Sequence, residues 1–173
     1  FLFKGYWEDD QIDYLINYSN NNLIDTFIDI GSNSGLYSLM FAKNNSNIKI
    51  LSYEPIKTTY EKQKRKINLN NLNQNIEVFN YGLSNRSGDA YFETKTSYNY
   101  KQSSTYKVSS QGDQVCELNI FDKISNIKNN NLIIKIDVEG HEKQVLEGME
   151  RTLNQNSVLL QIEIFDENFE NIN

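Results

Sequence analysis

Along this chain, apolar runs of strand length alternate with segments of helical period, and that order admits few architectures. The runs are "TFIDI" (26 to 30), "IKILSYE" (48 to 54), "IEVFNYG" (76 to 82), "LIIKID" (132 to 137) and "SVLLQIEIF" (157 to 165). After the first comes "GLYSLMFAKN" (35 to 44), whose helical period places Leu36, Leu39 and Met40 on one face. A helix from about Thr58 to Leu69 follows the second run, and "HEKQVLEGMERTL" follows the fourth. Between the third and fourth runs the pattern breaks. There "AYFET" and "QVCELNI" alternate like strands around a polar insertion at about 95 to 113, and "IFDKISNI" returns briefly to helix. Asparagine clusters such as "NYSNNN" and "KNNN" read as turns. The expected class is α/β, a doubly wound, mostly parallel sheet with helices on both faces.

Crossovers between parallel strands are right-handed, so both faces are covered only if the strand order reverses somewhere. A ligand then sits beyond the carboxyl ends of the strands that flank the reversal. Here those ends carry Asp29 to Gly35, Glu54, Gly82 to Asn85, and Asp137 to Glu142. The unusual residues gather on one predicted edge.

Size and composition remove several alternatives. The 173 residues are read as a single domain, 1–173, large enough to bury roughly 70% of its unfolded surface without staples. Cys116 is the only cysteine and His141 the only histidine, so an internal disulfide and a Cys/His zinc site are both ruled out. A reducing compartment, the cytoplasm, is the expected location. No apolar run approaches about 18 residues and no signal peptide opens the sequence, so no membrane association is expected. A net charge of −6 argues against nucleic acid as a partner. The basic run "KQKRK" (62 to 66) falls within a helical segment and reads as its solvated face.

Two motifs carry chemistry at the first and second strand ends. In "DIGSNSG" (29 to 35), Gly31 permits a sharp turn and Gly35 lets a helix start close to the strand, so a ligand can approach backbone N–H groups. Asp29 ends a buried strand and must meet a donor or a cation. Glu54 closes the second strand, where an acid can accept hydrogen bonds from both ribose hydroxyls of a nucleoside. Dinucleotides and S-adenosylmethionine share this layout. The middle glycine that admits a pyrophosphate in G-x-G-x-x-G is missing, and no Walker A lysine is present. An acid two residues before the first glycine suits a ligand with a cationic amino group and no phosphate.

The blocks "FIDIGSNSGLYSLMFAK", "YEP", "FNYGLSNRSGDAYF" and above all "LIIKIDVEGHEKQVLEGM" resemble the successive blocks of the FkbM-type S-adenosylmethionine-dependent methyltransferases. The resemblance runs from about Gly5 to Glu163 and implies a Rossmann-like class I methyltransferase fold. It implies that Asp29, Gly31, Asn33 and Gly35 surround the methionine half of S-adenosyl-L-methionine, that Glu54 holds the ribose, and that Gly82, Leu83 and Ser84 lie along the adenosine. It implies O-methylation of a small hydroxylated acceptor, a sugar, glycan or natural product. Such enzymes continue past the fifth strand into two more, so C-terminal strands are expected to be missing or shortened here. In the polar insertion, Tyr98, Tyr100 and Tyr106 read either as part of a substrate lid or as plain solvated side chains. Near the start, the resemblance implies that Tyr6, Trp7 and Glu8 pack over the cofactor, with an aromatic anchor for the sheet as the equal alternative.

Methyl transfer to an alcohol requires the acceptor oxygen in line behind the methyl and its proton removed as the bond forms. "IIKIDVEGHE" (133 to 142) ends an apolar run on the residues for that work. Asp137 closes the strand beside the cofactor and acceptor, Gly140 allows the turn, and His141 is either the best-matched general base in the chain or a hydrogen-bonding residue at the helix start. Glu139 orients the imidazole or binds an acceptor hydroxyl. Glu142 is explained by its place near a helix N-terminus. A divalent metal on Asp137 and Glu139 is not required, and none is assigned. Two rivals stand: a nicotinamide-dependent oxidoreductase, and a noncatalytic or truncated module that keeps the cofactor pocket.

Overall fold

In the computed structural model, which describes residues 9–93, 107–108, 112 and 114–164, all five apolar runs enter one parallel sheet. The strands are β1 (Thr26–Ile30), β2 (Lys49–Tyr53), β3 (Ile76–Phe79), β4 (Gly82–Leu83), β5 (Gly88–Glu93), β6 (Lys107–Val108), β7 (Gln114–Asn119), β8 (Asn131–Ile136) and β9 (Ser157–Ile162). The helices are α1 (Asp9–Asn21), α2 (Leu36–Asn44), α3 (Lys57–Leu69), α4 (Phe121–Ile124), α5 (Glu142–Glu147) and α6 (Glu150–Gln155). The central sheet has the order β3-β2-β1-β8-β9, so the reversal falls between β1 and β8. Tyr6, Trp7, Glu8, Tyr98, Tyr100, Tyr106 and everything after residue 164 lie outside the described residues. The expectations placed on them, including the shortened C-terminal sheet, lie there too.

Strand periodicity divides the core into two layers. Phe27, Ile50 and Ile133 face α1, α2 and α3, where Ile12, Leu15, Phe41 and Ile67 meet them. Their neighbours Ile28, Ile30, Leu51, Tyr53, Ile134 and Ile136 face the opposite side, against Phe121, Val145 and Met149. The Phe27 and Phe41 rings stack at 4.0 Å between centroids and anchor α2 on the first layer. A smaller sheet, ordered β4-β7-β5-β6, takes up the chain between β3 and β8. Its inner residues Ala90, Phe92, Cys116 and Leu118 form a separate core with Ile56, just past the carboxyl end of β2. No helix among the described residues is long and apolar enough to cross a membrane.

Four local readings of the sequence are corrected by packing. Residues 17–21 of the "NYSNNN" cluster are helical, because Ile12, Leu15, Ile16 and Ser19 of α1 are buried. The amides of Asn21 and Asn22 donate back to the carbonyls of Asn17 and Tyr18, both at 2.8 Å, and close the helix end. On α2 the buried positions are Tyr37, Ser38, Phe41 and Ala42, with Leu36, Leu39 and Met40 at the margin of the core. The single helix expected over "HEKQVLEGMERTL" is broken at Gly148 and Met149. Asp122 causes the restart: its carboxylate accepts from the backbone N–H groups of Arg151 (2.7 Å) and Thr152 (3.1 Å), capping α6 from another helix. The run expected as one strand to Gly82 ends at Phe79, where the Asn80 amide turns back to donate to the carbonyls of Glu54 and Pro55, each at 3.0 Å.

Candidate active site

The site begins where β1 and β8 part. Gly31 has φ +74°, and a Cβ there would lie 1.8 Å from the carbonyl oxygen of Asp137. Only glycine lets the two strand ends touch at this point while the loops above diverge. The loop is pinned from β2, since the N–H groups of Gly31 and Ser32 both donate to the Tyr53 carbonyl, at 3.1 and 3.0 Å. Asn33 adopts the left-handed region at φ 49°, which asparagine tolerates, and this turns its N–H toward Glu54.

Glu54 is held at both oxygens. Oε2 accepts from the Asn33 N–H at 3.0 Å and Oε1 from the Ile56 N–H at 2.7 Å. Burial nevertheless pushes its carboxyl up to about 7, against the pull of those two hydrogen bonds. A carboxylate oxygen carries two lone pairs, so each retains one acceptor position.

Asp29 occupies a different setting, fully buried below the loop. Its Oδ2 accepts from the Ser38 hydroxyl at 2.6 Å and the Ser38 N–H at 3.2 Å. Ser38 is the third residue of α2 and Gly35 before it has no side chain to cap with, so Asp29 caps the helix from the strand. Its Oδ1 is buried with no hydrogen-bond partner among the described residues. Burial raises its pKa, and the nearby Lys135 ammonium counters that. Ser52 lies opposite Asp29 on β2 and Lys135 opposite it on β8, and both point into the same layer. The Gln63 amide of α3 donates to Ser52 Oγ at 2.6 Å, while Gly35 leaves the room that the Gln63 side chain fills.

Beyond β8 the chain carries Asp137, Glu139 and His141. Asp137 Oδ2 accepts from Lys135 Nζ at 2.9 Å, and the Lys135 ammonium lies over the Tyr37 ring. Glu139 and Gly140 both have positive φ, 56° and 96°, and reverse the chain into α5. Glu142 folds back to accept from the Gly140 N–H at 2.9 Å. His141 precedes α5, and its Nε2 lies 2.9 Å from the Ser84 hydroxyl. Desolvation lowers the imidazole pKa from its ordinary value, Glu142 opposes that, and Arg86 adds to it.

One cleft collects most of the residues singled out from sequence: Gly31, Asn33, Glu54, Gly82, Leu83, Asp137, Glu139 and His141 line it. Asp29, Gly35 and Ser84 do not; Asp29 holds Ser38 of α2, Gly35 makes room for Gln63, and Ser84 lies against His141. Sequence reasoning missed the wall made by Tyr53, Pro55, Ile56, Phe92 and Leu118. Phe92 and Leu118 come from the small sheet, and their strand-like alternation was the available signal. Ser38, Ser52, Gln63 and Lys135 were also missed, since their connection to Asp29 and Asp137 depends on sheet register.

Residues 29–173 match the sequence profile of the methyltransferase FkbM domain. The chain is similar to the hexuronic acid methyltransferase AglP of Haloferax volcanii, with 29% identity over 142 residues that cover 80% of this chain and 56% of that protein. It therefore spans about half the length of that curated relative. In fold it resembles an S-adenosylmethionine-dependent O-methyltransferase of Thermotoga maritima, with a TM-score of 0.58 and 9% identity over 98% of this chain and 49% of the other. It also resembles precorrin-6y C5,15-methyltransferase of Geobacter metallireducens, with a TM-score of 0.55 and 10% identity over 98% of this chain and 70% of the other. At such identities the likeness establishes the Rossmann-like architecture and leaves the acceptor open.

Proposed function

Because the chain belongs to the FkbM methyltransferase domain family, we propose that it transfers a methyl group from S-adenosyl-L-methionine to a hydroxyl of a small acceptor, a sugar, glycan unit or natural product. The observation that carries this reading is the shared cleft, with the clamped carboxylate of Glu54 in one part of its wall and Asp137, Glu139 and His141 in another. Residues 1–173 act as one methyltransferase domain in this reading.

The residues present fit the cofactor. Glu54 retains an acceptor position on each oxygen for a pair of ribose hydroxyls. Ile56, Leu83, Phe92 and Leu118 form an apolar wall suited to a base, with Gly82 leaving room beside them. Asp137, with one oxygen committed to Lys135, offers negative charge to a cationic centre. Gly31 and Asn33 shape the loop between these parts. When bound, S-adenosylmethionine supplies an electrophilic methyl group on a sulfonium. His141 takes the acceptor's hydroxyl proton, and Glu139 orients that hydroxyl.

The similarity to a hexuronic acid methyltransferase supports acidic sugars as the first acceptors to try. A hexuronic acid offers hydroxyl and carboxylate oxygens, and only the hydroxyl needs a base, which favours it in a cleft lined by His141. The test is transfer of an isotope-labelled methyl group to a panel of uronic acids, neutral sugars and glycans, with wild type and His141→Ala. The variant should keep S-adenosylhomocysteine binding and lose about 10²–10⁴-fold in turnover. Unchanged turnover would remove the histidine from the mechanism.

A further inference from the structure

His141 can serve as a base only through a ring nitrogen that carries no proton, so its tautomer decides its chemistry. The residues around it settle which nitrogen that is. Nε2 lies 2.9 Å from Ser84 Oγ, while Nδ1 has no hydrogen-bond partner among the described residues. Ser84 is 1% exposed, so solvent does not complete its hydrogen bonding. Its hydroxyl lies 3.3 Å from Asn85 Oδ1. The other side of that amide is fixed, because Asn85 Nδ2 donates to Glu147 Oε2.

A carboxylate only accepts, so the NH₂ of Asn85 must face Glu147 and its oxygen must face Ser84. Ser84 has a single hydroxyl proton. If it pointed at the imidazole, the Ser84 and Asn85 oxygens would confront each other as two acceptors. With that proton on the Asn85 side, Ser84 Oγ receives the proton borne by Nε2. We infer that Glu147, Asn85 and Ser84 form a hydrogen-bond relay that holds His141 in the Nε2-protonated tautomer, leaving Nδ1 as the basic nitrogen. The three are positioning residues, acting through the histidine.

The backbone preserves this alignment. Ser84 N–H donates to the Asn119 carbonyl at 2.9 Å, which fixes the strand end. A Cβ on Gly148 would lie 2.1 Å from the Ser84 carbonyl oxygen, so the end of α5 seats directly on Ser84. His141 precedes α5, Glu147 is its last residue and Gly148 its C-cap, so this one short helix presents both ends of the relay. In sequence terms this gives the "VLEG" that follows "DVEGHE" a purpose.

The inference rests on the proposed role of His141 as base, but its test does not need turnover. His141 is the only histidine, so its imidazole nitrogens are unambiguous in a long-range proton–nitrogen spectrum of the uniformly ¹⁵N-labelled chain. At about pH 8, above the ordinary imidazole pKa, Nε2 should resonate as the protonated nitrogen and Nδ1 as the bare one. Ser84→Ala and the exposed-site variant Asn85→Ala should each give a tautomer mixture, and Ser84→Ala should lower kcat with the donor KM unchanged. An Nδ1-protonated ring in the wild type, or the wild-type preference surviving in both variants, would overturn the relay. If the tautomer is as stated but His141→Ala turns over normally, the base assignment fails and the relay stands.

Discussion

Glu54 makes the cofactor reading testable through a proton. Burial raises its carboxyl from 4.5 to about 7, because its two backbone hydrogen bonds do not offset the loss of water. Hydroxyls donating to the carboxylate favour the ionised form, so binding lowers this pKa. Affinity for S-adenosylhomocysteine should therefore rise with pH up to about 7 and level off above it. Below that value binding should release a proton, seen by titration calorimetry in buffers of different ionisation enthalpy, and Glu54→Gln should abolish the release. For the protein without cofactor the sign is the reverse of an ordinary paired acid. The folded form holds the proton more tightly, so Glu54's contribution to stability declines as pH rises from 4.5 to about 7. Ser38→Ala tests the buried cap, since it removes the hydroxyl that Asp29 Oδ2 accepts from while Oδ1 has no partner among the described residues. Denaturant unfolding should show a loss of about 1–3 kcal/mol. Glu54 was legible from its place at a strand end after a glycine turn. Ser38 was not, because a serine inside an amphipathic segment looks like surface until the strand behind it is known.

Between elements, two glycines carry the contacts that form the cleft. Gly31→Ala places a methyl group against the Asp137 carbonyl in a backbone region that favours glycine, so β1 and β8 must move apart. The strain alone should cost about 1–3 kcal/mol, and cofactor binding should fall with it, as thermal unfolding and calorimetry would show. Gly148 has φ −75°, an ordinary helical value, so Gly148→Ala acts only through the close approach to Ser84. It should reduce turnover while S-adenosylhomocysteine still binds; an unchanged rate would show that the α5 to Ser84 contact is not needed. The strands were readable because apolar residues dominate each of them; β1, β2 and β8 are buried on both faces, while β3 and β9 at the two edges of the sheet are only partly covered. Helix limits were less so. The break at Gly148 depends on Asp122, twenty-six residues earlier, and the burial of Tyr37 in place of Leu36 depends on α2 being docked by Asp29 and Phe27.

In the whole molecule, the reversal of strand order between β1 and β8 draws into one cleft residues from six separate stretches, from Ile30 to His141. That edge could be derived from the sequence, since alternating elements and right-handed crossovers leave little choice of where a ligand sits. The small sheet's part in the wall could not, because the alternation that marks β5 and β7 as strands does not tell where they pack. Turnover should follow the ionisation of His141, rising through an apparent pKa below about 6.5, with the inflection absent in His141→Ala. A pH-independent rate would point instead to an acceptor that needs no base. The first experiment is calorimetric titration of the chain with S-adenosylhomocysteine and, separately, NADH, in wild type and Glu54→Ala. Saturable binding of S-adenosylhomocysteine alone, weakened in the variant, is the predicted result. Preference for NADH, or no binding of S-adenosylhomocysteine, would contradict the assignment of this cleft to a methyl donor.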